Sequence, residues 1–340
     1  MNLKMNDKKI LVAGAGGFIG GHLTKKLINL GADVTAVDIK PLEFWFQKSD
    51  KAKNLSLDLK NLDNCLNSSE GIDYIFNLAC NMGGMGFIEN NKADCMISVL
   101  INTHLLMAAK KNKVTKFFFS SSACVYNTEL QKTNFIEGLR ESDSYPAMPE
   151  DGYGWEKLFS ERMCRHFNED YGLDISIARF HNIYGPNGTY DGGREKAPAA
   201  ISRKIIYAKN DRSDKIEIWG DGEQTRSFLY IDDCIDGILK LFQTEYTKPL
   251  NIGSDEQVSI NQLVEIISKI AKLENLKKDY LLNKPKGVKG RSSNNDLSKE
   301  ILNWEYCVSL SDGLFNTYKW IENDIKESKT LINKFTQPSI

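Results

Sequence analysis

The chain has 340 residues, which predicts about two domains, and its 41% hydrophobic and 26% charged residues are an ordinary globular composition that excludes a disordered or collagenous chain. Forty-four Lys and Arg against 45 Asp and Glu leave a formal net charge of −1, which gives no footprint for bulk binding to nucleic acid or an anionic membrane. The 7 cysteines are odd in number, widely spaced and contain no C-x-x-C pair, which argues against a disulfide framework or zinc knuckle and predicts a cytoplasmic protein.

No stretch approaches the ~18 uninterrupted apolar residues of a membrane helix. The N-terminal lysines followed by an apolar run look superficially like a secretory leader. The run covers only residues 10–13 before glycines take over, short of the ~7–15 residues of a leader core, so it reads as a first strand entering a turn. Further apolar runs at 34–38, 74–79, 117–120 and 175–180 read as strands. Between them lie segments of helical period, such as Ile19, Leu23 and Leu27. Alternation of strand and helix predicts a parallel sheet covered on both faces. Beyond about residue 180, Gly- and Asn-rich turns at 185–193 and 220–222 interrupt shorter elements, and helical patterns return at 260–273 and 313–325. This predicts a smaller C-terminal lobe, with the crevice between lobe and sheet as the ligand site.

Gly14, Gly17 and Gly20 form a G-x-x-G-x-x-G turn between the first strand and the first helix, with Phe18 and Ile19 inside it. Such a turn lets a backbone approach a pyrophosphate, and the following helix N-terminus faces the anion. Asp38, at the end of the second strand, has the spacing expected of a carboxylate that binds the adenine ribose of NAD, although a strand-end solvent residue has the same pattern. Asp58 could reach the adenine edge, or be an ordinary surface carboxylate.

Tyr153 and Lys157 stand one helical turn apart, so they share a face. A phenol with an ordinary pKa of about 10 needs a neighbouring cation to act as a base, and Lys157 is placed to supply one. Ser120, Ser121 and Ser122 follow an apolar strand at the end where such sheets bind ligands. In this order, glycine turn, serine strand end and Tyr-x-x-x-Lys, the chain resembles the extended short-chain dehydrogenase/reductase superfamily, specifically its nucleotide-sugar epimerases and dehydratases. The segments around Arg179 to Pro186 and Gly220 to Arg226 fit too, and the resemblance covers about residues 8–325. The resemblance narrows further through longer motifs: Asn77-Leu78-Ala79 and the run Met82 to Ile88, Ser122-Ala123-Cys124, the run Gly192 to Ala200, the run Trp219 to Phe228, and Gly287 to Arg291. These are similar to the branch that epimerises a GDP-linked hexose at C3 and C5.

The resemblance implies a Rossmann-type doubly wound α/β fold: an NAD-binding domain over 1–180, to which segments near 228–257 return, a nucleotide-sugar-binding lobe over 181–330 and a tail over 331–340. It also implies a homodimer, in keeping with apolar stripes through Met96, Val99, Leu100, Thr103 and Met107, through Ile97, Ile101, Leu105 and Ala108, and through Phe159, Met163 and Phe167. NAD is the implied cofactor, and the catalytic set is Ser122, Cys124, Tyr153, Lys157 and Lys196. Cys124 and Lys196 would exchange protons at carbon, where sugar dehydratases resemble one another in carrying an Asp-Glu pair at the Ala123-Cys124 position. On its own, Cys124 reads first as a small buried hydrophobe, and Lys196 reads as a solvated lysine beside a helix start. The implied contacts to the GDP-sugar are Gly83, Ser122, Ala123, Cys124, Asn182, Glu195, Lys196, Ala197, Lys204, Gln224, Thr225, Arg226 and Arg291. Arg226 and Arg291 would clamp the pyrophosphate, or else be ion-pair members, and Asn182 could instead be structural. His181 is read as structural, and no metal is expected. Asn81 stands where the family has Asp, Cys80 where a small residue is usual, and the segment 207–215 is several residues longer. A 4-epimerase or 4-reductase on another nucleotide-sugar, a GDP-heptose substrate, and a non-catalytic NAD-binding regulator are the alternatives.

Overall fold

A computed structural model describes residues 5–327 apart from residue 274; the tail expected over 331–340 lies outside them. The first half alternates β1 (Lys9–Ala13), α1 (Phe18–Asn29), β2 (Asp33–Asp38), β3 (Lys53–Ser56), α2 (Leu62–Ser68) and β4 (Tyr74–Asn77). It continues through α3 (Met85–Asn90), α4 (Lys92–Ile97), α5 (Val99–Lys111), β5 (Lys116–Ser122), α6 (Tyr153–Tyr171) and β6 (Asp174–Phe180). The second half runs β7 (Ile183–Tyr184), α7 (Ala197–Asn210), β8 (Lys215–Trp219), β9 (Thr225–Ser227), β10 (Leu229–Tyr230), α8 (Ile231–Phe242), β11 (Pro249–Ile252) and β12 (Gln257–Ser259). It closes with α9 (Ile260–Ala271), β13 (Lys277–Leu281), β14 (Gly290–Arg291), α10 (Asp296–Leu302) and α11 (Leu310–Glu327).

Seven strands form one parallel sheet in the order β11-β6-β5-β4-β1-β2-β3. Strand order reverses between β1 and β4, the switch point at which doubly wound sheets open a crevice at their carboxyl ends. The buried runs explain why both faces are covered. Ile10 and Val12 of β1 face one core with Phe76, Phe118 and residues of α1 and α8, whereas Leu11 and Ala13 face a second core with Phe117, Phe119 and α5. A strand's side chains alternate, so a continuous apolar strand needs helices on both sides. Burial of each such phenylalanine is worth about 1.5–3 kcal/mol.

The first core continues into the lobe through Ile201, Ile205, Leu263, Leu314 and Tyr318 of α7, α9 and α11. There β8 pairs with β13, and β9 lies between β12 and β14. α6 begins after Gly152 and stops at Gly172, which adopts a left-handed φ of 68° that ends a helix cheaply. Among the described residues, no helix is long and apolar enough to cross a membrane.

Candidate active site

A cavity of about 520 Å³ lies at the carboxyl ends of the strands, within the range of small-ligand sites, and Gly14, Gly17, Asp38, Ser122, Tyr153 and Lys196 are among its lining residues. Gly14 has φ +83°, and a Cβ there would strike the Leu78 backbone beyond β4, while a Cβ on Gly20 would collide with the Gly14 carbonyl. These two glycines let α1 start directly under the end of β1. No side chain caps that helix, so its first-turn N–H groups are left for an anion, and Phe18, Ile19 and Gly20 line the cavity beside them. Asp38 closes β2 and accepts the Lys40 amide at 3.0 Å; the Lys40 ammonium donates to the Gly16 carbonyl at 2.8 Å, so its charge sits on the turn. Asp58 also lines the cavity, 3.6 Å from Lys60. An uncapped helix N-terminus next to a strand-end carboxylate fits a dinucleotide's pyrophosphate and ribose.

Tyr153 opens α6, and Lys157 follows one turn on; both are buried. The Tyr153 phenol and Ser122, the last residue of β5, are hydrogen-bonded. Sequence reasoning expects Lys157 to lower the phenol; burial and other neighbours act the opposite way. Burial, then the Cys80 and Cys124 thiols and Glu156, push Tyr153 well above its ordinary pKa. The Lys157 ammonium is 5.6 Å from the Tyr153 ring centroid and 3.6 Å from Glu156. Burial pulls Lys157 down, but Cys80 and Glu156 more than offset it and hold the ammonium charged.

Cys124 sits in a short turn, Ala123–Val125, that β5 feeds directly, and its amide donates to the Ser122 hydroxyl at 3.2 Å. Burial raises its thiol to about 11, with Glu150 adding to the rise and Arg291 opposing it. Arg291 of β14 is buried and donates to Gln131 and Glu150, each at 2.8 Å, while its third contact is the Cys124 sulfur at 3.5 Å. Lys196 stands at the start of α7, makes no side-chain cap bond and lines the cavity; burial lowers its ammonium, against the pull of Cys124. Gly83 packs on Phe87, and Gly84 bonds the Arg194 carbonyl at 3.0 Å. Arg194 in turn donates to Asn81 and Met82, so the 81–84 loop and the segment leading to Lys196 and Ala197 are tied together.

Other residues expected at the substrate bond to the protein, although Gln224 keeps a buried side-chain oxygen without a hydrogen-bond partner. Arg226 donates to the carbonyls of Thr225, Lys286 and Val288, so it fixes the loop leading to Arg291 and has no nitrogen aimed at the cavity among these bonds. Thr225 bonds the Asn134 carbonyl, Gln224 the Trp219 carbonyl at 3.2 Å, and Asn182 the Ser227 carbonyl at 2.9 Å. Glu195 accepts from the Gly193 amide and Arg203. Lys204 donates to the Glu217 carbonyl and lines a separate shallow groove with Tyr207 and Asp211. His181 is buried against Asn251 at 2.9 Å, and burial drops it to about 3, so it is neutral. Sequence reasoning missed Glu150 and Glu156. Nothing local marks Glu150, whose partner Arg291 lies 141 residues away. Glu156 adjoins Lys157, and a carboxylate next to that lysine was the available signal.

Residues 10–253 match the NAD dependent epimerase/dehydratase family. The chain is 44% identical over 323 residues to GDP-mannose 3,5-epimerase 1 of Oryza sativa subsp. japonica, covering 95% of this chain and 84% of the rice protein. It is also 44% identical to the GDP-mannose 3,5-epimerase of Arabidopsis thaliana, with 94% and 84% covered. Among solved structures it is similar to the UDP-glucose 4-epimerase of Thermotoga maritima with UDP-glucose, at TM-score 0.84 and 25% identity over 93% of this chain and 99% of that one. The UDP-glucuronic acid 4-epimerase of Bacillus cereus, in complex with UDP-glucuronic acid and NAD, gives TM-score 0.77 and 27% identity over 93% and 99%. The glycine turn, the Ser-Tyr-Lys cluster and these likenesses lead to one conclusion: the chain belongs to the NAD dependent epimerase/dehydratase family and is closely related to the plant GDP-mannose 3,5-epimerases.

Proposed function

We propose that this NAD-dependent epimerase converts GDP-mannose to GDP-L-galactose and GDP-L-gulose by inverting C5 and C3 through a transient 4-ketone. The observation that carries this reading is a thiol and an amine, Cys124 and Lys196, in each other's electrostatic reach beside the Tyr153–Ser122 pair. A 4-epimerase needs a group for the C4 oxygen and nothing that moves protons at carbon. Bound NAD supplies reversible removal of hydride at C4. Ser122 and Tyr153 hold the C4 oxygen: Tyr153, as the phenolate, takes the C4 hydroxyl proton as the hydride leaves, and the phenol so formed returns that proton when the ketone is reduced. While C4 is a ketone, the hydrogens on C3 and C5 are acidified because each carbanion is an enolate. Lys196, with its ammonium lowered by burial, offers an amine to take a proton there, and the protonated Cys124 thiol gives one. The redox change cancels, so no external reductant is consumed.

The same reading includes a homodimer. Met96, Leu100 and Met107 of α4 and α5, with Trp155 and Phe159 of α6, leave an exposed apolar face, whereas Leu105 and Ala108 turn inward. Such a face supports pairing with a second copy, and a monomer by sedimentation at micromolar concentration would remove that part. For the reaction, GDP-mannose incubated without added reductant should yield GDP-hexoses of L-galacto and L-gulo configuration by NMR. A product inverted at C4 alone would refute it.

A further inference from the structure

Glu150 is a buried carboxylate with no place in the chemistry above. It is 7% exposed and stands on the segment entering α6, where its amide donates to the Cys124 carbonyl at 3.0 Å. One carboxylate oxygen takes the Arg291 guanidinium at 2.8 Å; the other is buried with no hydrogen-bond partner. The same guanidinium contacts the Cys124 sulfur at 3.5 Å, so thiol, guanidinium and carboxylate form one buried triad. An unpartnered buried carboxylate oxygen is costly, and its retention beside a reactive thiol calls for a use.

We propose that Glu150 is the positioning residue of Cys124: held by Arg291, its negative charge keeps the thiol protonated between turnovers, so that Cys124 acts as a proton donor to the sugar rather than as a standing thiolate. This rests on the reading of Cys124 as a proton-transfer group. The charges facing the thiol make the argument. Arg291 from β14 and Arg226 from β9 are guanidinium cations in its electrostatic reach, Lys196 from the start of α7 is an amine whose ammonium burial disfavours, and Tyr153 of α6 is a neutral phenol. Two guanidinium groups near a thiol favour thiolate, the usual way a cysteine is activated. Glu150 is the carboxylate set against them, and Glu89 of α3 lies in turn beside Glu150. Burial is the largest cause of the thiol's rise to about 11, and Glu150 adds to it against Arg291. A standing thiolate stabilised by neighbouring guanidinium groups would be exposed to oxidation and alkylation, whereas a protonated thiol held by Glu150 is far less so.

The test is the pH dependence of Cys124 alkylation by iodoacetamide, read by mass spectrometry of the Cys124 peptide in the full-length, NAD-loaded protein. In the unmodified protein the rate should keep rising beyond pH 10; a plateau at or below about 8.5, the value of free cysteine, would overturn the proposal without any variant. Glu150→Gln should raise the rate at pH 8 by about threefold, from an approximately tenfold larger thiolate fraction offset by lower nucleophilicity. Glu150→Asp, which keeps the charge, should return it toward the original. An unchanged or slower rate in folded E150Q would sink the idea. In turnover, E150Q should move the pH profile of ring-carbon deuterium uptake to lower pH. Absence of such uptake in the unmodified enzyme would refute the 3,5-epimerase reading alone, and the alkylation result would still decide Glu150.

Discussion

The two ends of the cavity are built by different means. At the cofactor end, one short stretch makes the cradle from backbone: Gly14 and Gly20 let chain approach chain, and the uncapped start of α1 presents N–H groups. At the other end side chains take over: Lys196 lines the cavity, and Cys124, Arg291 and Glu150, from three other places in the sequence, form a contact chain whose thiol lies in its electrostatic reach. A backbone cradle recognises what every dinucleotide shares, so it is compact and recurrent. A cluster of side chains would, on the proposed reading, decide which bond reacts, and it depends on the whole fold to assemble.

That contrast can be broken most sharply at the hydroxyl where the ends meet. Tyr153→Phe should abolish both C4 oxidation and epimerisation, a loss of about 10²–10⁴ in kcat, because removal of a positioned acid–base group costs that much. Full activity in this variant would mean the phenol is a packing residue. On the reacting wall alone, Cys124→Ala or Lys196→Ala should reduce ring-carbon proton exchange by about 10²-fold or more while NADH still forms transiently, as absorbance reports. Equal loss of both signals would show that the two ends are not separable. At the cofactor end, Asp38→Asn should leave the wall intact and cut the preference for NAD over NADP by about tenfold, since it removes the charge that repels a 2′-phosphate. Binding assays with both cofactors decide this.

The smallest effect concerns stability. His181 is held neutral by burial, with its pKa lowered to about 3. The unfolded chain takes up a proton below the ordinary value of about 6.5, and the folded chain does so only near 3, so stability falls as pH drops through that window. His181→Gln should make the decline in melting temperature between pH 6.5 and 4 shallower. An identical slope would show that the carboxylates carry it alone.

How far the sequence revealed each end follows from the same contrast. Gly14 to Gly20 and Tyr153 with Lys157 are contiguous patterns, and strand alternation predicted the sheet that carries them. Cys124, Lys196 and Arg291 were visible through resemblance, because their meeting depends on tertiary contacts across up to 167 residues. Arg226, Thr225, Gln224 and Asn182 carry bonds to backbone carbonyls that no local pattern announces. Their motif lies where β9, β7 and the 286–289 loop must be joined, and backbone carbonyls there take the donors. The neighbours of Lys157 were also hidden: Glu156 and Cys80 act on its ammonium, and only the fold brings Cys80 there.

The central claim is that this wall moves protons at carbon next to a transient C4 ketone. Incubation with GDP-mannose in deuterated water, followed by NMR of the sugar ring, tests it directly. The account predicts deuterium at C5, and at C3 as both centres react, with C4 left unlabelled because its hydrogen never meets solvent. A converted sugar with no deuterium at any ring carbon would contradict it, since only C4 chemistry would then have taken place.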